Sequence, residues 1–168
     1  MQPTFPPYDL HPVMPHELAQ PPYLASDDRA RLDFSVVHAF LSTCYWSPGI
    51  PRYLVEKAAA NSVAFGVYDL SAAAPVQVGY ARVVTDYATF AYLADVFVLE
   101  SHRGRGLSML LMRCIQSHPD LQGLRRWLLM TRDAHGVYAR CGFYPLANPG
   151  AAMEITRREI YLKGADAR

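Results

Sequence analysis

A chain of 168 residues, 51% hydrophobic and 18% charged, is long enough to bury a core without disulfide staples and too apolar to be disordered. A formal net charge of +1 without any Lys/Arg run excludes a broad basic field for nucleic acid or for an anionic membrane, and no stretch approaches the ~20 apolar residues of a membrane span. Cys44, Cys114 and Cys141 are odd in number and lack C-x-x-C spacing, and the N-terminus lacks a basic start and an apolar h-region, so reduced thiols and a cytoplasmic location are expected.

Residues 1–22 hold seven of the thirteen prolines and read as an extended arm; residues 23–168 read as one domain. His11 and His16 lie in the arm without Cys or carboxylate partners, and no metal is expected. A first strand is expected from Tyr23. Asp33 caps a helix carrying Val36, Val37, Phe40 and Leu41 at helical spacing. A turn-rich loop follows, with Tyr45 and Trp46 exposed either as a wall of a binding site or as a hydrophobic plug. Pro51 then opens a second helix with Leu54, Val55 and Ala58 on one face. Val63 to Leu70, Val76 to Thr85 and Thr89 to Leu99 form an antiparallel meander, with Asp86 and Tyr87 in its second turn.

The stretch from Val96 to Ser108 joins a strand, a glycine-bearing turn and a helix that carries Leu107, Leu110, Leu111, Cys114 and Ile115. The first N–H groups of a helix have no partner within it and the macrodipole adds partial positive charge, so an anion docks there. Gly104 and Gly106 allow close backbone approach, and Arg103 and Arg105 add charge. This is a phosphate or pyrophosphate cradle. A Walker A loop is disfavoured because Leu107-Ser108 stands where Lys-Ser/Thr is needed, and the third glycine of a Rossmann fingerprint is replaced by Met109. After the helix, Trp127 to Thr131 is a strand, and strand-helix-strand demands a parallel neighbour. Asp133 is expected to cap a short helix through Arg140, and Met153 to Leu162 to supply a final strand.

Arg103-Gly104-Arg105-Gly106-Leu107-Ser108 resembles the Arg/Gln-x-x-Gly-x-Gly/Ala loop of the GCN5-related N-acetyltransferases (GNAT family), with Ser108 at the last small position. Thr131 to Phe143 is similar to that family's Asn-x-x-Ala-x-x-x-Tyr-x-x-x-Gly-Phe segment, with Thr131 in place of Asn. The resemblance covers roughly residues 24–162. It implies an α/β (α+β) fold with a mixed sheet of about six to seven strands, antiparallel first and parallel at a splayed V, flanked by about four helices. It further implies acetyl-CoA as cosubstrate, held by Phe97, Val98 and Leu99 in the splayed gap, by residues 103–108, and by Thr131 and Tyr138. The expected partner is a small-molecule or peptide amine, and a homodimer is plausible from the resemblance.

Acetyl transfer to an amine needs a polarised thioester, a neutral nucleophile and a proton for the departing thiolate. Tyr138 falls at the family's general-acid tyrosine, with packing on its helix as the bland alternative. Asp95, the one acid in an apolar strand, is the candidate base; alternation sets it on the face opposite Ala94 and Val96, where it equally well serves as a structural carboxylate. His135, three residues before Tyr138, is a candidate relay or a packing residue. Tyr45, Trp46, Asp86 and Tyr87 are candidate acceptor contacts. The rival reading is a non-catalytic CoA-binding module.

Overall fold

The computed structural model describes residues 14–157 and 159–162. Its strands are β1 (Glu17–Gln20), β2 (Tyr23–Ser26), β3 (Val63–Asp69), β4 (Val76–Thr85), β5 (Phe90–Val98) and β6 (Arg126–Leu129); its helices are α1 (Phe34–Leu41), α2 (Arg52–Ala60), α3 (Leu107–Gln116) and α4 (His135–Ala139). They form one six-stranded sheet in sequence order, antiparallel throughout except for β5 and β6. The exception follows from connectivity: α3 carries the chain back across the sheet, so β6 starts at the same end as β5.

Each face of the sheet is covered because each flanking helix has an apolar stripe. Leu107, Leu110, Leu111, Met112, Cys114 and Ile115 of α3 are buried against Phe65, Val67, Val83 and Leu93, and Tyr138, Cys141 and Phe143 from the α4 region pack on the same side. Val37 and Leu41 of α1 and Val55 and Ala59 of α2 pack with Tyr80 and Phe97 on the other. Each fully buried leucine of this kind contributes on the order of 2 kcal/mol. Asp33 caps α1 by accepting from Ser35 and Val36 N–H, and Pro51 occupies the N-cap of α2.

Two departures place the site. The pairing of β5 with β6 stops at Leu93↔Leu129, while β5 runs on to Val98, so the β6-facing backbone edge from Ala94 to Val98 has no strand partner among the described residues. Within that segment Asp95 adopts φ 55, and the pairing with β4 shifts between Tyr80 and Arg82. This is a β-bulge. Ala91 and Leu93 face the α3 side before it; after it Val96 and Val98 do, and Phe97 turns to the α1–α2 side. The simple alternation expected around Asp95 therefore fails at Asp95 itself.

The chain enters the sheet at Glu17 rather than at Tyr23, with Pro21 and Pro22 forming the turn between β1 and β2. Residues 153–157 and 159–162 do not form the expected final strand. Ile160 and Leu162 N–H donate to the carbonyls of Arg157 and Glu159 in local turns, which removes them from any ladder, and Met153 and Ile155 are almost wholly exposed. Arg158 and residues 163–168 lie outside the described residues. Among the described residues, no helix is long and apolar enough to cross a membrane.

Candidate active site

The glycine turn is built as an anion cradle. Gly104 and Gly106 have φ 75 and 77, a left-handed conformation that a side chain disfavours, and Gly106 is the N-cap of α3. A Cβ at Gly104 meets nothing within 4 Å, so the outer face of the turn is open to a ligand. Leu107 anchors the first helical turn by burying its side chain, leaving its backbone and that of Ser108 at the helix start. Arg103 Nε donates to Val98 O at 3.3 Å and Arg105 Nη1 donates to Tyr23 Oη at 2.6 Å. Gln20 Nε2 ties the Arg105 carbonyl to β1 at 3.2 Å. The two guanidiniums are thus fixed around the turn by the sheet beneath it.

Leu99 N–H bonds Val78 O of β4 at 2.8 Å, so ladder alternation turns the Val98 N–H and C=O toward the open side. Phe97 faces away, stacked on Phe40 with ring centroids 3.9 Å apart. The residues expected to cradle a pyrophosphate and to line the splayed gap therefore meet at one end of β5.

The loop between α1 and α2 spans that gap. Trp46 Nε1 donates to Asp95 Oδ1 at 3.2 Å, while the neighbouring Tyr45 lies under the Arg132 guanidinium, 3.9 Å from ring centroid to Cζ. Arg132 belongs to the segment after β6, so one aromatic is tied to each arm of the splay. Asp95 Oδ2 accepts from Arg82 Nε in a close ion pair, with the two side chains 20% and 14% exposed. Both carboxylate oxygens of Asp95 thus have partners.

Tyr138 sits on α4, half-buried beside Phe143 at 6.0 Å, and burial pushes its phenol up to about 12, with Cys141, Tyr45 and Asp133 adding to the rise. It holds its proton over the whole physiological range. Thr131 Oγ1 accepts from Ala134 N–H at 3.0 Å, and Ala134 rather than Asp133 is the N-cap of α4. Thr131 therefore shapes the entry to α4 and keeps its hydroxyl hydrogen to donate. His135 is the exposed first residue of that helix.

Asp86 and Tyr87 stand apart from this group, in the turn at the opposite end of β5. Asp86 Oδ1 accepts from Ala88, Thr89 and Phe90 N–H, and Oδ2 from Thr89 Oγ1 at 2.6 Å. These bonds, the Thr89 hydroxyl first, hold its carboxyl far below the usual range, as a turn-forming group. Tyr87 takes φ 58 in the same turn.

Arg82, Lys57, Asn61 and Tyr161 were not singled out by the sequence, and with Trp46 and Asp95 they line a cavity of about 540 Å³ beside the bulge. Arg82 did carry a signal: like Asp95, it is a lone charge in an apolar strand, and the two strands are antiparallel neighbours. Lys57 carried none. Among the described residues, no group of three or more His, Cys, Asp and Glu side chains is placed to hold a metal ion.

Residues 67–145 match the family profile described as "Acetyltransferase (GNAT) domain". A curated protein assigned as an acetyltransferase from Gibberella zeae is 31% identical over 138 residues, 70% of this chain and 76% of its own length. A crystal structure assigned as a GNAT-family acetyltransferase from Xanthomonas campestris pv. campestris is 47% identical, covers 85% of this chain and 99% of its own, and superposes with a TM-score of 0.79. A structure assigned as an acetyltransferase from Deinococcus radiodurans shares the fold at 17% identity, covering 83% of this chain and 91% of its own, with a TM-score of 0.65.

Proposed function

The chain belongs to the GNAT acetyltransferase family, and from that premise we propose that it transfers the acetyl group of acetyl-CoA to a primary amine of a small molecule or peptide. The observation that carries the reading is the coincidence, at one end of β5, of a glycine turn open to a ligand with an unpaired backbone edge. A pyrophosphate fits the first, through the left-handed Gly104 and Gly106 and the N–H groups of Leu107 and Ser108. An extended amide-bearing arm fits the second, hydrogen-bonding to the outward Val98 N–H as an added strand does.

The cosubstrate supplies an activated acetyl group with a thiolate leaving group. The chain's own groups then divide the work. Val98 N–H, on the open side of β5, donates to the thioester oxygen as negative charge develops there, where a fixed donor is most effective. The amine nitrogen forms its bond to the acetyl carbon as the C–S bond breaks, and the amine's surplus proton leaves through water. Tyr138 donates its proton toward the departing sulfur. Transfer from a phenol at about 12 to a thiolate whose acid has a pKa near ~8.5 is uphill, so the phenol acts first as a hydrogen-bond donor and re-protonates from solvent. Asp95, paired with Arg82 and Trp46, acts as an orienting carboxylate rather than a free base.

The odd, scattered cysteines, with Cys114 fully buried and its thiol raised by burial to about 12, support a reducing, cytoplasmic setting. The test is thiol release from acetyl-CoA across a panel of amines, with the acetylated amine identified by mass spectrometry. Release coupled to amine acetylation supports the reading; acetyl-CoA binding without any transfer would make the chain a non-catalytic CoA-binding module.

A further inference from the structure

The cavity beside the β5 bulge has an imbalance of charge that constrains what it accepts. It is lined by Trp46, Lys57, Asn61, Arg82, Asp95 and Tyr161 among others, and among the described residues it holds two cations against one carboxylate. Asp95 is neutralised by Arg82 Nε, which leaves the Arg82 fork to supply further donors: Nη1 reaches Ser62 Oγ at 3.4 Å, and Nη2 has no partner among the described residues. Lys57, exposed on α2, has no ion-pair partner among the described residues. An acceptor amine arrives as an ammonium, because alkylamines have pKa values near ~10. A bare ammonium entering a cavity with a surplus positive charge is repelled; the same ammonium tethered to an anion is not.

We propose that the acceptor is an amine carrying its own anionic group, a carboxylate or phosphate, held by Lys57 and the free edge of the Arg82 guanidinium while Asp95 faces the amine. The inference rests on the N-acetyltransferase reading and names its substrate class. The geometry agrees with it: Asp95 lies three residues before Val98 on the strand whose edge is open, so the amine end of such a molecule lies toward the reacting carbonyl and the anionic end toward α2. The planar guanidinium fork matches both carboxylate and phosphate. Trp46 and Tyr161 also line the cavity, whose volume of about 540 Å³ suits an amino acid or a compound of that size.

Two matched pairs of acceptors test the claim. Phenylalanine and phenethylamine differ only by a carboxylate, and O-phosphoethanolamine and ethanolamine only by a phosphate. Acetylation is followed by thiol release, and binding by calorimetry on the CoA-saturated protein. The anionic member of at least one pair is expected to have kcat/KM higher by about tenfold or more, which is about 1.4 kcal/mol. The pair that responds identifies the anion. Lys57→Ala is expected to reduce the preference to within about threefold and Lys57→Arg to retain it, with acetyl-CoA affinity unchanged in both. Equal or better use of the plain amine in both pairs overturns the proposal, as does a preference that survives Lys57→Ala. If no amine is acetylated, anion-dependent binding that Lys57→Ala removes keeps the pocket assignment while the transfer reading fails, and binding without anion preference overturns the pocket assignment.

Discussion

Tyr138 and Asp95 illustrate how burial and pairing assign roles to chemically capable side chains. The buried phenol keeps its proton, so Tyr138 is fitted to give a hydrogen bond to a departing sulfur and not to take a proton from an amine. Tyr138→Phe is expected to lower kcat on the order of 10²-fold while leaving the calorimetric Kd for acetyl-CoA within about twofold; unchanged turnover would remove the assignment. Asp95 is a different case, a partly buried carboxylate facing Arg82 in a left-handed backbone. Removing it strands the guanidinium, and Asp95→Ala is expected to cost about 3 kcal/mol in denaturant titration. Asp95→Asn should cost about 1 kcal/mol less, because Asn tolerates positive φ and can still accept from Trp46 Nε1. Asp95 stood out in the sequence as a lone acid in an apolar strand. Arg82 stood out in the same way, but that the two pair and that a bulge presents Asp95 did not, because both depend on the register between β4 and β5, a tertiary property that no local pattern records.

At the scale of elements, the turn before α3 was legible because its chemistry is backbone chemistry: glycines, a helix start and an apolar helical stripe are all local. Gly104→Ala meets no steric neighbour but must hold φ 75. It should lower Tm by only a few degrees, corresponding to about 1 kcal/mol, yet weaken acetyl-CoA binding by about tenfold or more by intruding on the ligand's side of the turn. The final strand was misread for the converse reason. Met153 and Ile155 have strand-like alternation, but the backbone after them closes local turns, and an alternating pattern does not say whether a partner edge is within reach.

A second element-scale link joins the end of β2 to the end of α3. Asp27 Oδ2 meets His118 Nε2 at 3.0 Å, and Oδ1 accepts from His16 N–H at 2.7 Å. Burial raises the Asp27 carboxyl, but the His118 and His16 hydrogen bonds and the nearby imidazoles outweigh it and the net shift is downward. A carboxylate depressed in the folded state contributes stability above its unfolded pKa of ~3.9 and loses it as pH falls through the folded value. Asp27→Asn should therefore lower stability at neutral pH and flatten its decline below about pH 4, as followed by denaturant titration at stepped pH; parallel wild-type and variant curves would contradict this.

The sheet is open, with β1 and β6 as its two outer strands, each with one edge without a strand partner among the described residues; Met130, just beyond β6, is 71% exposed. Such edges pair or aggregate unless covered, and a homodimer that pairs two β6 edges is the cover we propose. Sedimentation equilibrium should give twice the chain mass at micromolar concentration, and Met130→Lys should shift the equilibrium toward monomer. A monomer at all concentrations would place the cover elsewhere.

Calorimetric titration of the ligand-stripped protein with acetyl-CoA, with dephospho-CoA and ATP as controls, decides whether the end of β5 binds acetyl-CoA. One site per chain with a micromolar Kd is expected, weakened by Gly104→Ala and indifferent to Asp86→Ala, because the Asp86 carboxylate serves its own turn. No binding, or binding that ignores Gly104, would contradict it.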